Sequence, residues 1–155
     1  MEEKKPSVEE ISVPQNNLLP EETRDNSWKS EQINELAGAL SMAQSEMKGA
    51  AKNKENDFFG SGYADLHSVI ESSLPYLSTH GLSIVQGNEP IAGHVLVTTT
   101  LLHKSGQWIR SKVRIPLEKP TAHGLGQAIT YGRRYGLSAM VGISQMDDDG
   151  NSISK

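Results

Sequence analysis

Trp108, Arg110, Lys112 and Arg114 stand at alternate positions in a run whose composition favours a β-strand. Alternate residues of a strand share a face. The spacing therefore places three cations and one indole on one surface. Ile109, Val113 and Ile115, with Ser111 among them, point the other way. A surface of the first kind suits a polyanion. Lysine and arginine neutralise phosphates and release their counterions, which gives affinity independent of base sequence. Aromatic rings add stacking, worth about 1–3 kcal/mol per base in single-strand binders. From Lys104 to Arg134 the chain holds seven Lys/Arg (104, 110, 112, 114, 119, 133 and 134) against one acid, Glu118. The whole chain carries a net charge of -4, so this region is a local reversal of sign.

The elements that must position these residues are a hairpin and the helix after it. The pattern predicts strands over residues 94–103 and 108–116, joined by a turn at residues 104–107. A shorter strand over 82–86 precedes them, with a turn at 87–90. The helix is expected from Thr121 or Ala122 to about Met140. It carries Arg133 and Arg134, with Tyr131 and Tyr135 one turn apart beside them. Gly132 and Gly136 lie inside it. Each costs up to ~1 kcal/mol relative to alanine, which is tolerable where another backbone packs closely.

Upstream, an apolar stripe of Ile33, Leu36, Ala37, Leu40, Ala43 and Met47 predicts a helix over 30–47, with Ser30 as its N-cap. A second helix starts near residues 63–65. Pro75 lacks a donor and crowds the preceding turn, so a kink or break is expected there. Gly81 suits a left-handed cap. Between the helices, Lys48, Lys52 and Lys54 lie in a glycine-bearing connection, either as a solvated loop or as a phosphate-contacting one.

These elements add up to an α+β fold, a small antiparallel sheet packed on helices. At 155 residues, 35% of them hydrophobic, the chain can build one modest core. Residues 1–28, acidic and with three prolines, are expected to be a disordered tail. Residues 29–146 form the domain, and 147–155 an acidic polar tail.

Catalytic signatures are weak. Without cysteine there is no thiolate nucleophile, thiolate zinc site or disulfide. No phosphate-loop motif occurs. Gly124 and Gly126 lack the third glycine and the alternating strands and helices of a dinucleotide turn. The five histidines form no i, i+4 metal pair. Asp147, Asp148 and Asp149 could hold Mg²⁺ for a nuclease, and they resemble the start of a calcium loop that lacks its twelfth-position glutamate. A solvated acidic end is favoured over both. No cofactor and no metal are expected. No apolar run approaches a membrane span and no signal peptide is evident, so a cytoplasmic location is expected.

Five segments carry a resemblance: Tyr63-Ala-Asp-Leu66, Pro75-Tyr-Leu-Ser-Thr-His-Gly-Leu82, Leu102-His-Lys-Ser-Gly-Gln107, Ala128-Ile-Thr-Tyr-Gly-Arg-Arg-Tyr-Gly-Leu137 and Asp147-Asp-Asp-Gly-Asn151. In this order, over about residues 30–151, the chain resembles the ERF family of bacteriophage single-strand annealing recombinases. Two departures are Asp57, where members often have proline, and an end soon after the acidic run, where many members continue. The resemblance implies a protein that coats single-stranded DNA and anneals complementary strands without ATP, rather than an enzyme. It implies large ring or helical homo-oligomers, and a β-β-β-α core related to eukaryotic and Red-beta annealing proteins. A host or phage single-strand-binding protein or exonuclease is a possible further partner, in the cytoplasm of a bacterial host. The DNA would lie in one groove between the hairpin and the helix, held by Arg110, Lys112, Arg114, Arg133 and Arg134, with Lys104, Trp108, Lys119, Tyr131 and Tyr135 around it. Exchanging Arg133 and Arg134 for acids is then expected to abolish binding and spare the fold. The rival readings are a passive single-strand binder and a Mg²⁺-dependent nuclease.

Overall fold

A computed structural model describes residues 27–52, 54–56 and 61–144. The fold is α+β. Its sheet is antiparallel, in the order β3-β4-β5, with β3 at Leu82–Ile91, β4 at His94–His103 and β5 at Trp108–Pro116. Three helices accompany it: α1 (Asn34–Glu46), α2 (Leu66–Thr79) and α3 (Ala122–Val141). A small hairpin of β1 (Lys54–Asn56) and β2 (Ser61–Tyr63) precedes α2. Both strands of the long hairpin have the predicted limits. Of the tail expected over residues 1–28, residues 1–26 lie outside the described residues, as does the acidic end at 147–155.

All three helices cover one face of the sheet. In the main core, Leu82, Ile84, Leu101 and Ile109 from that face meet Leu36 and Ala43 of α1, Val69 and Leu77 of α2, and Leu137 and Val141 of α3. A second cluster joins Val95 and Val97 to Ala128, flanked by Val113 and Ile115. Gly132 and Gly136 are the points of closest approach. A Cβ on Gly132 would run into the Val97 side chain, and one on Gly136 into Thr99 Oγ1. The pair thus lets α3 lie close on β4, and the close contact is with side chains of the strand.

Four local expectations change. The first concerns residues 87–90, which continue β3 rather than turning; the turn falls at Ala92 and Gly93, where Gly93 has φ 73°. Pro90 is tolerated because of register. The Lys104 N–H donates to Gly81 O, so the odd positions of β3 are its hydrogen-bonded ones, and Pro90, opposite Val95, is not among them. Its missing N–H takes no bond from the ladder.

The second is at Pro75, where α2 is unbroken and runs on to Thr79. Pro75 lies on the exposed side of the helix. There the Glu71 carbonyl, deprived of its usual donor, can be hydrated. Gly81 does adopt the left-handed conformation expected of it, with φ 73°.

The third is that α1 begins at Asn34, and its N-cap residue, Ile33, makes no side-chain cap. Gln107, buried at the hairpin turn, takes that role from a distance. Its Oε1 accepts from Leu36 N at 3.0 Å and its Nε2 donates to Asn34 Oδ1 at 3.1 Å. One of the orphan donors of the first turn is thereby satisfied by a tertiary contact. Ser30, the expected cap, instead bonds Trp108: its Oγ accepts from Trp108 N at 2.9 Å.

The fourth is the lysine-bearing connection, which contains the β1–β2 pairing rather than loop alone.

Candidate nucleic-acid interface

The face of the sheet opposite the helices is uncovered by any element among the described residues. Register determines what stands on it. Trp108, Arg110, Lys112 and Arg114 of β5 lie opposite Leu102, Thr100, Thr98 and Leu96 of β4. Those in turn lie opposite Ser83, Val85, Gly87 and Glu89 of β3. Lys112 and Arg114 are exposed. Arg110 is half-buried, stacked on the Trp108 ring with its guanidinium carbon 4.6 Å from the ring centre. Its Nε donates to Thr100 Oγ1 at 3.2 Å. The Trp108 ring and Thr100 thus hold the guanidinium on this face of the sheet. The alternation in β5 thus separates cations from core.

Lys104 is exposed at the hairpin turn. Lys119 is exposed in the loop before α3. Trp28, expected within the tail of residues 1–28, belongs on this face. Residues 28–30 run antiparallel along the outer edge of β5, with Lys29 opposite Ile109. Arg110 N donates to Trp28 O at 2.7 Å and Ser30 N to Trp108 O at 2.8 Å. Facing residues on paired strands share a side of the sheet, so Trp28 stands on the cationic face opposite Arg110. It is 61% exposed. The sequence offers no apolar alternation around Trp28 that would mark a strand.

The α3 residues are placed differently. Since Gly132 and Gly136 press α3 on the helix-covered face, Arg133 and Arg134 lie across the sheet from Arg110, Lys112 and Arg114. A single groove therefore does not hold all five cations, which corrects the expected arrangement. Arg133 is half-buried and joined to Gln86: Gln86 Nε2 donates to Arg133 O at 2.9 Å, and Arg133 Nε to Gln86 Oε1 at 3.4 Å. Arg134 is buried. Its Nη1 donates to Ala64 O at 3.1 Å and its Nη2 to the Tyr135 hydroxyl at 3.4 Å. The guanidinium lies 5.0 Å from the centres of both the Tyr131 and Tyr135 rings. Those rings stay nearly half exposed, with centres 5.9 Å apart. Arg134 thus fastens the chain entering α2 to α3 and spaces two tyrosines. An acid at position 134 would bury an unpaired charge, so that exchange tests folding as much as binding.

Of the basic connection, Lys48 is exposed and Lys52 half-buried. Lys54 lies in β1. Among the described residues no group of three His, Cys, Asp or Glu could hold a metal ion, and no helix is long and apolar enough to cross a membrane. The aspartates at 147–149, on which the nuclease reading rests, lie outside the described residues.

The sheet and its cationic open face define a β-sheet platform of the kind that meets polyanions. The family comparison is more specific: the model of the ERF superfamily matches residues 36–155, and the chain belongs to that superfamily. Membership supports recombination by single-strand annealing as its class of activity. No curated protein and no solved structure matches the chain.

Proposed function

We propose that the protein binds single-stranded DNA on the open face of the sheet and anneals complementary strands without ATP, as a homo-oligomer. The observation that carries this reading is the set of Arg110, Lys112 and Arg114, held with Trp108 on the sheet face opposite the three described helices, in a chain of the ERF superfamily. The strand cations lie two residues apart, about 6.4–6.8 Å, a spacing close to that of successive phosphates in an extended strand. Gripping phosphates leaves base edges available for pairing. The cations lower the repulsion between two phosphate chains as they approach, and pairing and stacking make the product lower in free energy. No nucleotide hydrolysis is needed for such a step.

In this reading Lys104 and Lys119 extend the phosphate path, and Lys48, Lys52 and Lys54 offer a second basic contact. Tyr131 and Tyr135 form a separate aromatic site on α3, with Arg133 beside it and Arg134 beneath. Neighbouring subunits, in a ring or a helical array, would present many nucleotides in register. The partners are single-stranded DNA, the annealed duplex and other copies of the chain, with a host or phage single-strand-binding protein or exonuclease as a further candidate. The setting is the cytoplasm of a bacterium that carries the phage or prophage.

The test is annealing of two complementary oligonucleotides with EDTA and without ATP, across a salt series. The expected result is acceleration that fades as salt rises. Tight binding without acceleration would leave a passive single-strand binder. Cleavage that needs Mg²⁺ and is lost in Asp147→Asn with Asp149→Asn would instead favour the nuclease.

A further inference from the structure

We propose that Trp28 forms a nucleobase-stacking subsite at the edge of the cationic face. The proposal rests on the DNA-binding reading of that face and adds a residue to it. Three features carry it. The residue 28–30 segment is tied to β5 by two backbone hydrogen bonds and by Ser30 Oγ, which accepts from Trp108 N. The position of Trp28 is therefore set by the sheet. Register puts its side chain on the same side as Arg110, Lys112 and Arg114. Its indole is 61% exposed, against Trp108, which is half-buried beneath the Arg110 guanidinium.

The two tryptophans differ in what they can offer. One face of the Trp108 ring is already taken by Arg110. Among the described residues Trp28 carries the more distant Lys29 ammonium, 5.7 Å from its ring centre, and most of its surface is exposed. An exposed indole beside a row of cations matches a single strand laid along β5: phosphates on Arg110, Lys112 and Arg114, and one base turned outward onto Trp28. The ligand is an unpaired nucleobase of any identity, since every base has a π-face. A paired base in a duplex has both faces stacked, so the subsite favours single-stranded over double-stranded DNA.

Because the chain has two tryptophans, each can be watched alone. Trp108→Phe leaves Trp28 as the only indole, and Trp28→Phe leaves Trp108. Each variant, with wild type and Trp28→Ala, is titrated with oligo-dT at low salt. Labelled-oligonucleotide anisotropy reports binding and tryptophan emission reports stacking. Binding should quench Trp28 emission in Trp108→Phe. Trp28→Ala should weaken single-strand binding by at least about fivefold, with Trp28→Phe recovering most of it. The slope of log Kd against log salt should not change in either variant, because no phosphate contact is removed. Binding that leaves Trp28 emission unchanged, with equal affinity in Trp28→Ala, would overturn the proposal. So would a fall in oligomer mass in Trp28→Ala at unchanged affinity, which would make the indole a contact between copies. If wild type fails to bind DNA at all, the reading of the face has failed, and the subsite with it.

Discussion

Arg110 and Arg114 on β5, and Arg133 and Arg134 on α3, are two pairs of like charge on opposite sides of one sheet. The β5 side carries its charges on an uncovered surface, with Lys112 and Arg114 exposed. The α3 side has turned its charges inward: Arg134 is buried on a carbonyl and between two rings, and Arg133 is joined to Gln86. The difference follows from what each element packs against. A strand with one apolar face must present the other, and here no element among the described residues covers it. A helix lying on glycines at two points sits so close to the sheet that residues flanking the glycines are drawn into contact. An arginine's charge alone therefore does not mark a phosphate site; the packing of its element decides.

The comparison can be broken most sharply on the β5 side. Exchanging Arg110, Lys112 and Arg114 together for glutamate should weaken single-strand binding by at least about a hundredfold at low salt. The fold should persist, because all three side chains stand on the open face, opposite the core. Anisotropy with a thermal melt checks both halves. On the α3 side the effect should fall on stability instead. Arg134→Ala removes the buried bond to the Ala64 carbonyl and the guanidinium between the rings, and should cost about 2–3 kcal/mol of unfolding free energy. Chemical denaturation measures it. A large loss of affinity at unchanged stability would contradict the division.

A smaller effect is expected at Gly132. Its alanine variant gains helix propensity but drives a methyl into Val97, with Ile115 3.2 Å away. Overpacking should outweigh the gain and leave a net loss of about 1–2 kcal/mol. Smallest is Tyr131→Ala, which should lower single-strand affinity by about fivefold if its half-exposed ring stacks on a base, with the salt slope unchanged.

Much of this architecture was legible in the residues. The period-two alternation of residues 108–116 gave the second hairpin strand and its outward row of cations, because one face is apolar and the other is not. What was not legible depended on partners far away in sequence. The stretch at residues 87–90 reads as a turn, and only its pairing with β4 makes it strand. The cap of α1 comes from Gln107, 71 residues from the Leu36 donor it satisfies. Trp28 sits in an acidic, proline-bearing segment, and its side of the sheet is set by two backbone bonds to β5. The burial of Arg134 depends on a carbonyl at Ala64, 70 residues upstream.

The most direct measurement is the salt dependence of single-strand affinity in wild type and in Lys112→Gln with Arg114→Gln. If these side chains hold phosphates, the slope of log K against log salt should become shallower by about 1.4, at about 0.7 per phosphate contact for single strands. An unchanged slope and unchanged affinity in the double variant would contradict the claim that the open face of the sheet is where DNA binds.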